Sequence, residues 1–191
     1  LMPDKYNHVY FGIEALDTTP TSLVLSIGAA KFNLEDDEAY DEIKDDGHRC
    51  FYAALELQTQ IDAGRTMSED TLKWWMGQTR EAQKVFTEQK YQTPDALRDL
   101  TEFCAGTKYA WGNGNMFDNV IIRDLYASME MTYPYHYVCD LDLRTLKIAA
   151  GNPTVRIHTD ADTNVKHNAL DDAVFQAVLA QQFWKNIYGE Q

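Results

Sequence analysis

Short apolar runs separated by turn residues dominate the first third of the chain. Residues 9–13 and 22–32 form two of these runs, and residues 17–20 between them have the composition of a turn. A third apolar run covers residues 49–55. The pattern therefore predicts three successive strands that pair as an antiparallel meander.

A helical period replaces this pattern after Ser68, which is a predicted N-cap for a helix through Trp75 and Met76. Residues 80–89 and 94–104 carry further apolar positions at spacings of three and four. We therefore expect the middle of the chain to be helical.

Strands and helices alternate in the remaining sequence. Residues 109–111 predict a brief buried strand that stops at glycines, and residues 117–129 predict the helix that follows. Residues 137–142 predict a last strand and residues 169–187 a last helix. This order indicates an α/β fold, in which side chains between a strand and the next helix lie at the carboxyl edge of the sheet, where α/β enzymes place their sites.

The composition is typical of a globular protein. The 191 residues predict one domain, residues 1–191, with a core large enough to be stable without disulfides. Cys50, Cys104 and Cys139 are widely spaced, so we expect buried, unpaired thiols. No apolar run approaches a membrane span and no signal-peptide pattern opens the sequence, which predicts no membrane partner and a cytoplasmic location.

The formal net charge of −13 would normally count against a nucleic-acid ligand, because phosphate contacts need local positive potential. Much of the excess lies in residues 35–46, here called the acidic block. We interpret the acidic block as a solvated hairpin loop, with a cation site or a partner-binding patch as the alternative. Carboxylates that hold divalent cations would present positive charge to a phosphate, so a nucleic-acid substrate is not excluded.

The most informative spacing places His167 five residues ahead of Asp172 at the start of the last predicted helix. Five helical residues turn the chain by about 140°, so the pair can converge only if His167 lies on the loop before the helix. An imidazole there can accept a proton next to a metal ligand. Asp171 is the competing ligand, but the apolar stripe of the helix favours Asp172 for the site.

Two upstream carboxylates can complete such a site. Glu14 lies in an apolar strand pattern, where a charge is costly unless it is paired or metal-bound; the alternative is a strand-end glutamate in water. Asp118 follows a glycine-rich turn and either binds a metal or caps the next helix. Together these residues predict a hydrolase that uses divalent cations on phosphodiesters.

A resemblance supports this prediction. The segment 12–14, Asp118 and the segment 167–172 resemble the three motifs of the DEDDh 3′-5′ exonucleases, an RNase H-like family. Segments 72–78 and 142–145 are similar to the branch that contains phage exonucleases and mycobacterial-type exoribonucleases. The fold this implies is an α/β, RNase H-like mixed sheet that opens with an antiparallel three-strand meander and is flanked by helices.

The resemblance also implies roles for individual residues. Glu14, Asp118 and Asp172 would be ligands of two Mg²⁺ or Mn²⁺ ions, and His167 would be the general base. The substrate would be the single-stranded 3′ end of RNA or DNA. The residues that lie where the family handles terminal nucleotides are Leu16 and Ser26.

Four polar and aromatic residues have substrate-binding interpretations of their own. Trp74 and Trp75 point about 100° apart on a helix, so we expect at least one in the core and the other free to stack on a base. Gln78 shares the face of Trp74 and can reach sugar or base edges. Arg144 is a candidate phosphate contact, with an ion pair to an aspartate within residues 140–142 as the alternative.

Gly12 departs from the family pattern, because an aspartate that bridges both metals is expected at this position. A glycine has no ligand atom, and its structural reason would be close backbone approach. Three explanations are open, and we favour the first: an inactivated copy of an active enzyme, a natural pseudo-nuclease, or a rewired one-metal hydrolase. The alternative functions are an inactive 3′-end binding or adaptor protein and a hydrolase of small nucleotides. A homodimer is a further expectation by analogy, because relatives in the superfamily often pair.

Overall fold

The structure, a computed structural model, describes residues 5–114, 116–157 and 167–189. Five strands in this part of the chain form one sheet: β1 (His8–Ala15), β2 (Val24–Phe32), β3 (Cys50–Ala54), β4 (Tyr109–Gly112) and β5 (Asp140–Asp142). The α-helices of the same residues are α1 (Tyr40–Lys44), α2 (Gln58–Asp62), α3 (Glu69–Met76), α4 (Arg80–Gln83), α5 (Thr93–Cys104), α6 (Asp118–Ser128), α7 (Leu143–Ala149) and α8 (Ala169–Tyr188). Short 3-10 helices cover Lys84–Phe86 and Tyr137–Cys139.

The sheet is mixed and has the strand order β3-β2-β1-β4-β5. β1, β2 and β3 pair antiparallel, so the predicted meander is confirmed. β4 pairs parallel with β1, and β5 pairs parallel with β4. The carboxyl ends of the three parallel strands therefore meet at one edge of the sheet.

β1 is the central strand, and all eight of its residues are buried. Val9, Phe11 and Ile13 face a core layer that contains residues of α5 and α6. Tyr10 faces the opposite layer, which is formed largely by α8, α1 and α7. Because helices cover both faces, the strand has a continuous apolar pattern that ends in the buried Glu14.

α8 packs unusually close to the sheet. Its residues Ala169, Ala173 and Ala177 are fully buried at a spacing of four. Gly12 and Gly28, which are register partners in β1 and β2, face its first turn: a Cβ on Gly12 would lie 2.4 Å from the carbonyl oxygen of Ala169. Close packing at this end places the start of α8 beside the end of β1.

The structure corrects several element predictions. The acidic block connects the antiparallel strands β2 and β3, as the predicted hairpin requires, but it is not a fully solvated loop, because it contains α1, whose Tyr40 and Ile43 are fully buried. The predicted helix at 80–89 is shorter and passes into a 3-10 helix. In the predicted strand at 137–142, the last three residues form β5 and the first three form a 3-10 helix. Neither α2 nor α7 was predicted, since helices this short depend on tertiary contacts.

Candidate active site

A cavity of about 530 Å³ opens where β1, α3, α6 and α8 meet. We call it the carboxylate cavity. The residues predicted for the site that line it are Gly12, Glu14, Trp74, Trp75, Asp118, Arg144, His167 and Asp172. Side chains far apart in the sequence are therefore brought together at the carboxyl edge of the sheet.

Glu14 lies near the end of β1, opposite Ser26 of β2. Its side chain is 6% exposed, and its Oε1 has no hydrogen-bond partner within the described residues. Burial, reinforced by the nearby charges of Asp172 and Asp118, raises the pKa of Glu14 to about 8. The alternative of a strand-end glutamate in water is therefore wrong.

Asp118 begins α6 and is buried, while the N-cap position belongs to Phe117. Its Oδ2 accepts a hydrogen bond from the backbone N–H of Asn113 at 3.0 Å. Burial raises the pKa of Asp118 to about 7, although backbone hydrogen bonds oppose the shift. The carboxylate thus ties down the loop that follows β4, and the capping interpretation is wrong.

His167 directly precedes Asn168, the N-cap of α8, whose Oδ1 accepts hydrogen bonds from the N–H groups of Leu170 and Asp171. The loop position that the spacing requires is therefore confirmed. His167 has a φ of 63°, a left-handed conformation that is uncommon outside glycine and is often found at functional sites. This conformation places the imidazole in the wall of the carboxylate cavity.

Asp171 and Asp172 have different surroundings. Asp171 is buried, accepts a hydrogen bond from the hydroxyl of Tyr40 at 2.9 Å and pairs with Lys44. Asp172 lines the carboxylate cavity, where burial and the charge of Asp171 raise its pKa to about 6. The geometry supports the choice of Asp172 over Asp171.

Glu14, His167 and Asp172 each offer a ligand atom, and these atoms all lie within 4.8 Å of one another. Asp118 lines the same cavity but lies outside this group. The unpartnered buried oxygen of Glu14 and the raised pKa of the three carboxyl groups fit a site that binds a cation. Carboxylate oxygens are the ligands that Mg²⁺ prefers.

The two tryptophans differ in exposure, as the angle of about 100° between neighbouring helical side chains predicts. Trp75 is 1% exposed and its Nε1 donates a hydrogen bond to the carbonyl oxygen of Ala15 at 3.0 Å, so it belongs to the core. Trp74 is 45% exposed. Its ring lies edge-on to the imidazole of His167, with the ring centroids 4.9 Å apart. Of the two tryptophans, Trp74 is therefore the one that a substrate base can reach.

Arg144 reaches the carboxylate cavity from the first turn of α7. Its Nε donates a hydrogen bond to the Oδ1 of Asn113 at 3.3 Å. The alternative, an ion pair between Arg144 and Asp140 or Asp142, is not found in the described residues. Asp140 pairs with Arg123, and Asp142 caps α7 by accepting a hydrogen bond from the N–H of Arg144. The guanidinium is thus available for a phosphate.

Three residues assigned to the substrate do not line the carboxylate cavity. Leu16 and Ser26 are buried, Leu16 in a cluster with Trp75 and Ser26 beside Glu14. Gln78 donates a hydrogen bond to the carbonyl oxygen of Trp74, at the end of α3. Contact between a substrate and these residues stays a prediction, from the resemblance for Leu16 and Ser26 and from the helix face shared with Trp74 for Gln78.

Sequence reasoning missed Asn113 and Gln176, which both line the cavity. Gln176 lies one helical turn beyond Asp172, a spacing that could have found it, and it accepts a hydrogen bond from the hydroxyl of Tyr10 at 2.7 Å. Asn113 lies in the glycine-rich turn before Asp118, and loops at such edges commonly carry site residues.

Among the described residues, no further carboxylate joins the group of Glu14, His167 and Asp172 in place of the ligand that Gly12 lacks. Asp17 lines the cavity, but its carboxylate accepts hydrogen bonds from the N–H of Thr18 at 2.7 Å and the hydroxyl of Thr19 at 3.2 Å. Because a Cβ on Gly12 would meet the backbone of Ala169, close approach of α8 explains the glycine.

Comparisons with known proteins place this geometry in a family. The family model described as the 3′-5′ exoribonuclease Rv2179c-like domain matches residues 7–184. The comparison with curated proteins found no significant match.

None of the described helices has the length and hydropathy of a membrane span.

Two solved structures share the fold. The nuclease domain of 3′hExo, a DEDDh family member bound to rAMP, has a TM-score of 0.58 at 13% identity, with 94% of this chain and 92% of that chain covered. Exonuclease I from Methylocaldum szegediense has a TM-score of 0.57 at 13% identity, with 93% and 40% covered. The mixed sheet and its flanking helices are thus the RNase H-like fold of the DEDDh exonucleases. The chain belongs to the family of 3′-5′ exoribonuclease Rv2179c-like domains.

Proposed function

We propose that the carboxylate cavity is the site of a 3′-5′ exonuclease that depends on divalent cations and acts on single-stranded 3′ ends. The observation that carries the proposal is the cluster of Glu14, His167 and Asp172, in which a buried carboxylate oxygen has no partner within the described residues. Such a cluster is costly in a protein that only packs.

Glu14, Asp118 and Asp172 are the residues that would hold the cations, Mg²⁺ or Mn²⁺. Cations bound there would supply Lewis-acid stabilisation of the negative charge that develops on the phosphodiester. His167 accepts the proton of the attacking water. The edge-on contact with Trp74 and the loop geometry before Asn168 fix the orientation of this imidazole.

A terminal nucleotide fits the Trp74 side of the cavity. Stacking on an aromatic ring contributes about 1 to 3 kcal/mol per base without selecting a sequence, which suits an enzyme that degrades varied strands. Arg144 lines the same cavity and would contact a phosphate. The rAMP bound to the nuclease domain of 3′hExo supports a ribonucleotide as the ligand of this chain.

Gly12 lowers the activity of this chain, because the site lacks one carboxylate of the family pattern. Each 1.36 kcal/mol of lost transition-state stabilisation lowers the rate about tenfold. This missing ligand favours a second candidate function, in which the chain binds 3′ ends without cutting them.

The test compares the chain with its Gly12→Asp variant on end-labelled poly-purine RNA, mixed RNA and single-stranded DNA, with Mg²⁺ or Mn²⁺. We expect the variant to release mononucleotides from 3′ ends at a rate well above that of the parent chain. We also expect it to be less stable by about 1 to 3 kcal/mol in chelator, since the new Cβ must displace the first turn of α8.

Gly47→Asp is the matched control, because a Cβ on Gly47 meets no atom within 4 Å. It adds the same charge but should change neither stability nor nucleotide release. Intact oligonucleotides after incubation of a folded Gly12→Asp variant with either metal would overturn the enzyme proposal. Binding of single strands that is equally tight in chelator and in Mn²⁺ would support the binder instead.

A further inference from the structure

A second cavity, of about 520 Å³, lies between α7, the segment that follows it, and α8. We call it the α7–α8 cavity. Its volume is within the range of about 300 to 1,000 Å³ that is typical of small-ligand sites. Asn113, Arg144, Asp172 and Gln176 line both this cavity and the carboxylate cavity. The two cavities therefore adjoin along these side chains.

The lining of the α7–α8 cavity combines positive charge with an apolar wall. Arg144 and Lys147 are exposed and lie one helical turn apart, and neither forms an ion pair within the described residues. Phe175 and Leu179 form part of the wall from α8. In a chain with a net charge of −13, two unpaired cations next to an aromatic ring indicate a ligand that is both anionic and flat.

The position of Asp172 selects one such ligand. An internal phosphodiester carries one nucleoside on each side, and Asp172 lies between the two cavities. When a scissile phosphate is held at the carboxylates and the terminal nucleotide lies on the Trp74 side, the preceding nucleotide must leave on another side. The α7–α8 cavity offers that exit, with cations for a phosphate and Phe175 for a base.

We propose that the α7–α8 cavity binds the nucleotide that precedes the 3′-terminal one, with Arg144 and Lys147 contacting its phosphate and Phe175 contacting its base. This inference rests on the proposed function, because it assumes that the terminal nucleotide occupies the carboxylate cavity. It adds two residues, Lys147 and Phe175, to the substrate-binding surface. The chain thus requires at least a dinucleotide for full affinity.

The experiment measures the affinity of the chain for AMP and for the dinucleotide pApA by calorimetry in Mn²⁺, with intact ligand verified afterwards. We expect pApA to bind about tenfold more tightly than AMP, as one further stacked base implies. Lys147→Gln and Phe175→Leu should each remove most of this gain and leave AMP binding unchanged. Lys147→Gln should also reduce the salt dependence of pApA binding by about 0.7 in log–log slope, as expected for one lost phosphate contact on a single strand.

Lys108→Gln is the matched charge control, because Lys108 is exposed just before β4, at the end of that strand remote from the site. The Lys108→Gln variant should keep the full gain in affinity for pApA over AMP. Trp74→Ala should weaken AMP and pApA equally, which reports on the carboxylate cavity alone. AMP binding that depends on Trp74, together with a pApA gain that is absent or survives Lys147→Gln, would overturn this inference and leave the proposed function standing. Failure of both nucleotides to bind would overturn the two together.

Discussion

Two groups of carboxylates in this chain have opposite surroundings. In the acidic block, Glu38 receives two hydrogen bonds from the guanidinium of Arg49, at 2.6 and 2.8 Å, and Asp37 pairs with Lys185. In the carboxylate cavity, Glu14 and Asp172 form no ion pair within the described residues. The pKa of Glu38 is lowered by its hydrogen bonds to Arg49, whereas burial raises the pKa of Glu14.

The difference distinguishes carboxylates that stabilise the fold through ion pairs from carboxylates that are available to bind a ligand. The chain pairs Glu38 and Asp37 with its own cations, Arg49 and Lys185, and thereby fastens the acidic block to the start of β3 and to α8. Within the described residues, Glu14 and Asp172 pair with none of the chain's own cations, so a cation from solution is the physically expected counterpart. Each of the following predictions alters one side of this comparison.

The largest change in the free energy of unfolding is expected at Arg49, which holds the acidic block through Glu38. Arg49 is buried and also donates a hydrogen bond to the carbonyl oxygen of Lys31, so Arg49→Gln leaves Glu38 without its charged partner. We expect a loss of about 3 kcal/mol or more in the free energy of unfolding, measured in urea with chelator. Lys73→Gln removes an exposed pair with Glu69 and is the control for charge alone. A loss below about 1 kcal/mol would mean that packing, not charge, holds the block.

Added Mn²⁺ should act on the other group of carboxylates. At a concentration a hundred times its dissociation constant, a cation that binds the folded state alone stabilises it by about 2.7 kcal/mol. Asp172→Asn should abolish this increase in thermal stability. Asp171→Asn is the matched neighbour: it should keep the Mn²⁺ effect but lower stability in chelator, because Tyr40 and Lys44 lose their acceptor. The reverse result would assign the metal to Asp171.

Replacing a carboxyl group by an amide should change the free energy of unfolding in opposite directions in the two groups. In chelator at neutral pH, burial keeps Glu14 largely protonated, because its pKa is raised to about 8, and this costs stability above the ordinary pKa of a glutamate. Glu14→Gln removes that cost, and we expect the free energy of unfolding to rise by about 1 kcal/mol. Glu38→Gln should lower it, since Arg49 then loses its ion pair. Parallel urea titrations of the two variants compare them directly. Equal losses in both would show that Glu14 is stabilised without a cation.

The smallest effect is expected at the rim of the acidic block. Lys185 and Asp37 are both more than half exposed, at 57% and 52%, and solvent weakens their interaction. Lys185→Gln should therefore change the free energy of unfolding by less than about 1 kcal/mol. A larger loss would extend the structural role of the block to its exposed edge.

The sequence predicted much of this arrangement because the relevant signals are local. The apolar runs located β1 and β2, and the five-residue spacing required His167 to lie before α8, as it does. The helical angle between Trp74 and Trp75 predicted one buried and one exposed ring. α1 was missed because five residues rich in charge carry no helical signal without the buried contacts of Tyr40 and Ile43.

The sequence by itself determined which residue types are available at the site and the order along the chain of the strands that carry them. Tertiary structure alone decided which carboxylates are neutralised by the chain, that Asp171 turns to Lys44 while Asp172 turns to the cavity, and that Gly12 allows α8 to approach β1. These outcomes depend on distances between atoms far apart in the sequence. Burial and pairing decide the cost of a charge, and neither can be read from the neighbours of a residue along the chain.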